Sequence, residues 1–275
     1  MRQNYELIIE PGRVEKNYWK DLFRFKELFL ILAWKEFLIR YKQALLGVTW
    51  SVIRPVLSMI VFTVIFGKIA KLPSEGVPYP ILVFSGMLPW QFFATSFQQS
   101  SNSLVANANL VSKIYFPRII IPASSIIVGL IDFIISLGIL IILMIWYKFT
   151  PSINILLIPV FLFLTIVTTY GAGILFAALN VKYRDFRYII PFVLQFGMYI
   201  SPVGFSSNVI PQKWELIYAL NPMVGIINGF RWSIIGGDYQ VNWNGLLISC
   251  IISLLILIFA VRYFRKTEKK FADVI

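Results

Sequence analysis

Histidine is absent from this sequence, and cysteine is represented by Cys250 alone. Without imidazole there is no His general base, no His-ligated metal and no Ser-His or Cys-His nucleophile pair. A lone cysteine inside an apolar run makes neither an intrachain disulfide nor a thiolate metal cluster. Acids are scarce as well, 13 Asp and Glu against 25 Lys and Arg in 275 residues, and none forms an Asp-x-Asp metal pair. No stretch reads GxxxxGK[ST], so the chain has no phosphate loop with which to bind and hydrolyse ATP by itself. Nor do the first forty residues show a basic leader, an apolar core and a small-residue cleavage site in series. No signal peptide is expected, and insertion is expected to use the first membrane helix.

What the sequence has in excess is apolar length. Hydrophobic residues make up 58% and charged residues 14%, too apolar for a soluble domain, and the apolar residues come in runs long enough to cross a bilayer. The chain reads as an all-α integral membrane protein. Its net charge of +12 sits at the ends and in short loops, which suits lipid headgroups and orientation better than nucleic acid.

Residues 1–16 are polar and irregular and read as a cytosolic arm. Over 17–45 the pattern turns helical. At 100° per residue Lys20, Arg24, Glu27, Lys35 and Lys42 fall within an arc of about 80°, as in an amphipathic helix lying in the membrane plane. The transmembrane domain is expected over 46–275, with spans at about 47–66, 81–104, 119–146, 153–179, 189–203 and 246–264 and a basic tail after them. The later half of the second span is polar, from Gln98 to Ser103, and should face protein or water.

Between the last two spans, residues 204–244 carry Pro211, Asn221-Pro222, Gly225, Gly229, Arg231 and Gly236-Gly237, which leave no uninterrupted apolar run. Short re-entrant helices entering from outside are expected there. Nineteen Lys and Arg fall on one side of this layout, five (Lys68, Lys71, Lys148, Lys213 and Arg231) on the other, and Arg54 within a span. That bias predicts both termini in the cytosol and six crossings.

Two charges lie within spans, Arg54 and Asp132, each costing about 2.5 to 3.5 kcal/mol if left in hydrocarbon. Arg54 lies about 10 Å in from Gly47 and reaches the cytosolic side by snorkelling or holds an anion. Asp132, about 21 Å along its helix from Arg118, is expected in the outer half, where it need not meet Arg54. A buried hydrogen bond and a functional role are equally open for it. Trp50, Trp90, Trp146, Trp214, Trp232 and Trp243 fall near span boundaries, as interface anchors or as stacking faces for sugars. No metal site is expected.

The order of an interfacial helix, RYKQALLGVTW (40–50), VIRPV (52–56), LVSKIYFPR (110–118), ALNVKYRDFRYIIP (178–191) and ALNPM (219–223) resembles the transmembrane subunit of bacterial ABC-2 type polysaccharide exporters, O-antigen exporters especially. The likeness runs from about Tyr18 to Arg265. It implies a half-transporter in the inner membrane, paired with a second copy of itself and with two separate ATPase subunits that bind ATP and Mg. This chain would hold no cofactor of its own. The resemblance puts Leu46-Gly47 at a polyprenyl-linked glycan's pyrophosphate, with Arg40, Lys42, Trp50 and Arg54 around that junction as the residues expected at the entry site, and it points Lys35, Lys113, Tyr115 and Arg118 to the ATPase. Trp214, Asn221, Pro222, Arg231 and Trp232 would form a periplasmic gate, and Asp132 stands as an intramembrane polar residue. Export of capsule or teichoic acid, or of a drug or small lipid, is the alternative within transport. A membrane glycosyltransferase acting on polyprenyl lipids is the alternative outside it, and lacks here the acid pairs such an enzyme needs.

Overall fold

The computed structural model describes residues 18–42, 47–237, 239 and 241–274, and every described element is helix or loop. The arm at 1–16 and Leu46 lie outside the described residues. The expected interfacial helix is two helices, α1 (Tyr18–Arg24) and α2 (Lys26–Tyr41), broken at Phe25. The second of these, α2, packs on α6 (Ile120–Trp146) with Leu32 and Ala33 turned inward, while Leu30 and Trp34 of α2 and Phe23 of α1 are exposed.

The long helices alternate in direction. The first is α3 (Gly47–Phe62), continued by a π-helical turn (Thr63–Ile69), and α4 (Tyr79–Ala106) returns to the end where α3 began. After the short α5 (Ala108–Lys113) and α6, a 3-10 turn leads into α7 (Ile158–Lys182), then α8 (Phe186–Ile200) and, later, α11 (Trp243–Thr267). Four helical stretches, Thr49–Ile69, Ile120–Trp146, Ile153–Lys182 and Trp243–Lys270, are long and apolar enough to cross a membrane. The expected second span is a 28-residue helix too polar to join them, and the expected fifth is an apolar helix of 15 residues. At 1.5 Å per residue 15 residues extend about 22 Å, short of a 30 Å hydrocarbon core.

The centre of the bundle is α4, which packs on α6 and α7, while α7 packs on α11. Glycine makes the α7–α11 contact close: a Cβ on Gly171 would sit 2.9 Å from the Leu257 Cα. Serine and threonine hydroxyls on these helices turn back to their own carbonyls, as Thr165 does to Phe161 at 2.7 Å, so few polar groups stay unpaired in the core. Between α8 and α11 stand α9 (Gln212–Tyr218) and α10 (Pro222–Ile235). The second is almost wholly buried against α4, α7 and α11.

Candidate functional site

A cavity of about 790 Å³ opens between α2, α3, α4 and α6. Its charged wall is made by Glu36 and Arg40 from α2, Arg54 from α3 and Asp132 from α6. Arg54 and Asp132 therefore share one space, contrary to expectation. The reason is the course of α2: by running along α6 it carries Arg40 and Tyr41 to the level of Asp132. Distance along α6 alone does not decide what that carboxylate meets.

Asp132 divides its two oxygens. Oδ1 accepts hydrogen bonds from the Tyr41 hydroxyl at 2.5 Å and from Ser51 Oγ at 2.8 Å, and Oδ2 pairs with the Arg40 guanidinium. Three elements are thus tied to one carboxylate, α2 through Arg40 and Tyr41, α3 through Ser51, and α6 itself. Burial and then the bond to Asp132 push the Tyr41 phenol up to about 12, which keeps it a neutral donor. Arg54 has no carboxylate partner among the described residues and stands over the half-exposed Trp50 ring at 5.7 Å. It is the guanidinium left available to a ligand.

Of the residues expected at the entry site, Arg40, Trp50 and Arg54 line this cavity. Gly47 opens α3, and Lys42 is exposed at the C-terminal end of α2, off the cavity wall. Opposite the arginines, α4 supplies Gln91, Thr95, Gln98, Gln99, Asn102 and Ser103. The polar half of this helix was legible in the sequence, and the structure turns it toward the cavity. Glu36, Tyr41 and Ser51 were not singled out. Glu36 sits four residues before Arg40, a spacing that puts both on one helix face and marked it in advance.

The residues assigned to the ATPase are divided by the structure. Lys35 donates to Asn107 Oδ1 at 3.0 Å. Arg118 turns inward: its backbone N–H donates to Glu268 Oε1 at 2.6 Å, its guanidinium to the Glu268 carbonyl, and the Tyr18 hydroxyl reaches Glu268 Oε2 at 3.0 Å. Burial and the Glu268 charge raise the Tyr18 phenol well above its ordinary value. The N-terminal helix, the loop before α6 and the C-terminal segment are therefore locked together. Lys113 and Tyr115 remain exposed, with exposed Ile114 between them.

The residues assigned to a gate lie in different surroundings. Arg231, counted in the sequence among the charges of the outer side, is fully buried. It donates to the carbonyls of Leu82, Val203 and Phe205 at 3.2, 2.9 and 2.7 Å. Gly86 gives it room, since a Cβ there would lie 2.7 Å from Arg231 Nη2. Asn221 accepts from the Met223 amide at 3.0 Å as the cap of α10, where Pro222 is the first residue, and donates to Ser201 Oγ at 2.9 Å. Trp232 meets Trp243 edge to face, and Trp214 is exposed beside Lys213.

The family model described as "ABC-2 type transporter" matches residues 27–235. An O-antigen export system permease protein, RfbA, of Klebsiella pneumoniae is 27% identical over 250 residues, covering 90% of this chain and 95% of that protein. A protein of the same description from Myxococcus xanthus is 26% identical over 257 residues, 92% of this chain and 97% of that one. The polysialic acid transport protein KpsM of Escherichia coli is 23% identical over 229 residues, 81% of this chain and 87% of its own length.

Proposed function

Because this chain belongs to the ABC-2 type transporter family, we propose that it is the permease subunit of an ATP-driven exporter that moves undecaprenyl-linked O-antigen polysaccharide across the bacterial inner membrane. As a multi-pass permease without a phosphate loop, it takes its energy from elsewhere: two ATPase subunits that bind ATP and Mg, docked on a homodimer of this chain. The exposed Lys113–Tyr115 edge is their landing surface. In this reading α4 and α8 cross the membrane beside the four long apolar helices, both termini lie in the cytosol, and α9 and α10 enter from the periplasmic side.

The observation that carries the reading is the cavity beside α3, lined by Arg54, which has no acid partner among the described residues, and by the neutral polar side chains of α4. A pyrophosphate leaving the cytosolic leaflet needs donors that replace its water, and a planar guanidinium holds two phosphate oxygens at once. Arg54, with Arg40 on the same wall, supplies that charge, and Gly47 lets the backbone come close. Export of a capsular polysaccharide is the second reading, favoured by the likeness to the polysialic acid transport protein.

Deletion of the gene tests the function: cells should accumulate lipid-linked glycan on the cytosolic side and lose it from the surface, and unchanged surface glycan would end the reading. Topology has a separate test in a Cys250→Ser background. A cysteine at the exposed Asn208 should react with an impermeant thiol reagent in sealed cells, and one at the exposed Lys270 should not. Reaction at Lys270 would overturn cytosolic termini.

A further inference from the structure

The cavity wall opposite the arginines has a character of its own. Gln91, Thr95, Gln98, Gln99, Asn102 and Ser103 recur at helical spacing on α4 and fall within an arc of about 140° at 100° per residue. From Gln91 to Ala106 the stripe extends about 22 Å at 1.5 Å per residue. No residue of α4 is charged. Asn102 is occupied, accepting from Asn180 Nδ2 at 3.0 Å and donating to the Gln98 carbonyl at 2.9 Å. The side-chain amides of Gln91, Gln98 and Gln99 have no hydrogen-bond partner among the described residues, although all three line the cavity. Gln98 is exposed and Gln91 and Gln99 are partly buried, so all three amides are open to whatever occupies the cavity.

We infer that the α4 stripe is the sugar-binding wall of this permease, with Gln91, Gln98 and Gln99 bonding hydroxyls of the glycan behind the headgroup. This rests on the proposed export of a lipid-linked glycan and adds which residues meet the sugar. Each amide offers two donors and an acceptor with two lone pairs, and a sugar hydroxyl both donates and accepts, so either partner adapts to the other's orientation. Neutral bonds also suit a moving cargo: charge-assisted ones are roughly twice as strong, and conduction needs sites that bind weakly and repeatedly.

The test uses the permease reconstituted with its ATPase subunit in lipid nanodiscs. ATP turnover is titrated with a polyprenyl pyrophosphate carrying a short neutral oligosaccharide and, separately, with bare polyprenyl pyrophosphate. Gln99→Leu should raise the half-saturating concentration of the sugar-bearing lipid by about fivefold, and Gln91→Leu with Gln99→Leu by more, as expected for lost neutral hydrogen bonds. The bare lipid should shift less than twofold, and Gln99→Asn should restore part of the loss. Equal shifts for both lipids, or no shift for either, would overturn the inference while leaving export intact. A wild-type complex that responds to neither lipid would overturn the export reading together with this one. Where the leucine variants do not assemble, Gln99→Cys in the Cys250→Ser background decides. The sugar-bearing lipid should slow its reaction with a thiol reagent and the bare lipid should not, and equal protection would overturn the assignment.

Discussion

Arg231 and Arg54 are both guanidinium groups set among apolar helices, and their surroundings differ in every respect that matters. Three carbonyls from α4 and the turn after α8 satisfy Arg231, its exposure is zero, and Gly86 leaves just enough room for it. Arg54 lines an open cavity, has no acid partner among the described residues, and rests over one tryptophan. A cation whose three nitrogens are each bonded inside the protein is a staple. A cation with donors to spare is a ligand site, and the same side chain serves both ends because its planar fork bonds oxygens of either origin.

The sharpest test of this contrast is at Arg231. Replacement by Leu strands the Val203 and Phe205 carbonyls, while that of Leu82 keeps the Ser85 hydroxyl at 2.8 Å, and at about 1 kcal/mol or more apiece the assembled protein should lose about 2 kcal/mol of stability. Thermal unfolding of the detergent-solubilised permease measures this, and a wild-type midpoint would show that Arg231 is no staple. Next comes Arg118→Glu, which sets a carboxylate against Glu268 and should lower the yield of folded permease, whereas Lys113→Glu should leave the yield unchanged and release the ATPase subunit. Co-purification of permease and ATPase separates the two variants. Equal behaviour would mean that the inward turn of Arg118 carries no weight.

A smaller loss is expected for Asp132→Asn. The pair with Arg40 is partly exposed, with side-chain accessibilities of 26% and 16%, so screening holds the cost to about 1 to 2 kcal/mol. Its trace should be a loosened end of α2, read as faster amide exchange around Arg40 and Tyr41. Smallest for stability and largest for transport is Arg54→Lys. Folding should change by less than about 0.5 kcal/mol, as for a surface substitution, while lipid-linked glycan accumulates on the cytosolic side at wild-type protein levels. Normal surface glycan in that variant would take Arg54 off the headgroup.

Much of the fold was legible because long apolar runs have few alternatives. The expected third span, 119–146, and the helix found, Ile120–Trp146, differ by one residue. The polar half of the second span also announced itself, since a run of Gln, Ser and Asn in a helix that long must face something other than lipid. The interfacial region was harder to read. Amphipathicity of 17–45 gave a helix with a charged face, but not the break at Phe25 or its alignment with α6. The surroundings of Arg231 were equally out of reach, since the carbonyls that receive it come from α4 and from the turn after α8.

The sequence by itself determined that this chain is a helical membrane protein with no imidazole and no phosphate loop, because composition and run length decide what can sit in lipid and which side chains are present at all. The order of its short motifs carried the likeness to polysaccharide exporters. Only the tertiary structure decided which charges are spent and which are free. Arg40 meets Asp132 across 92 positions of chain, Arg118 is tied to Glu268 across 150, and Arg231 to Leu82 across 149. Pairings of that kind depend on how helices cross, which no local spacing encodes, and they leave Arg54 and the amides of α4 facing the cavity.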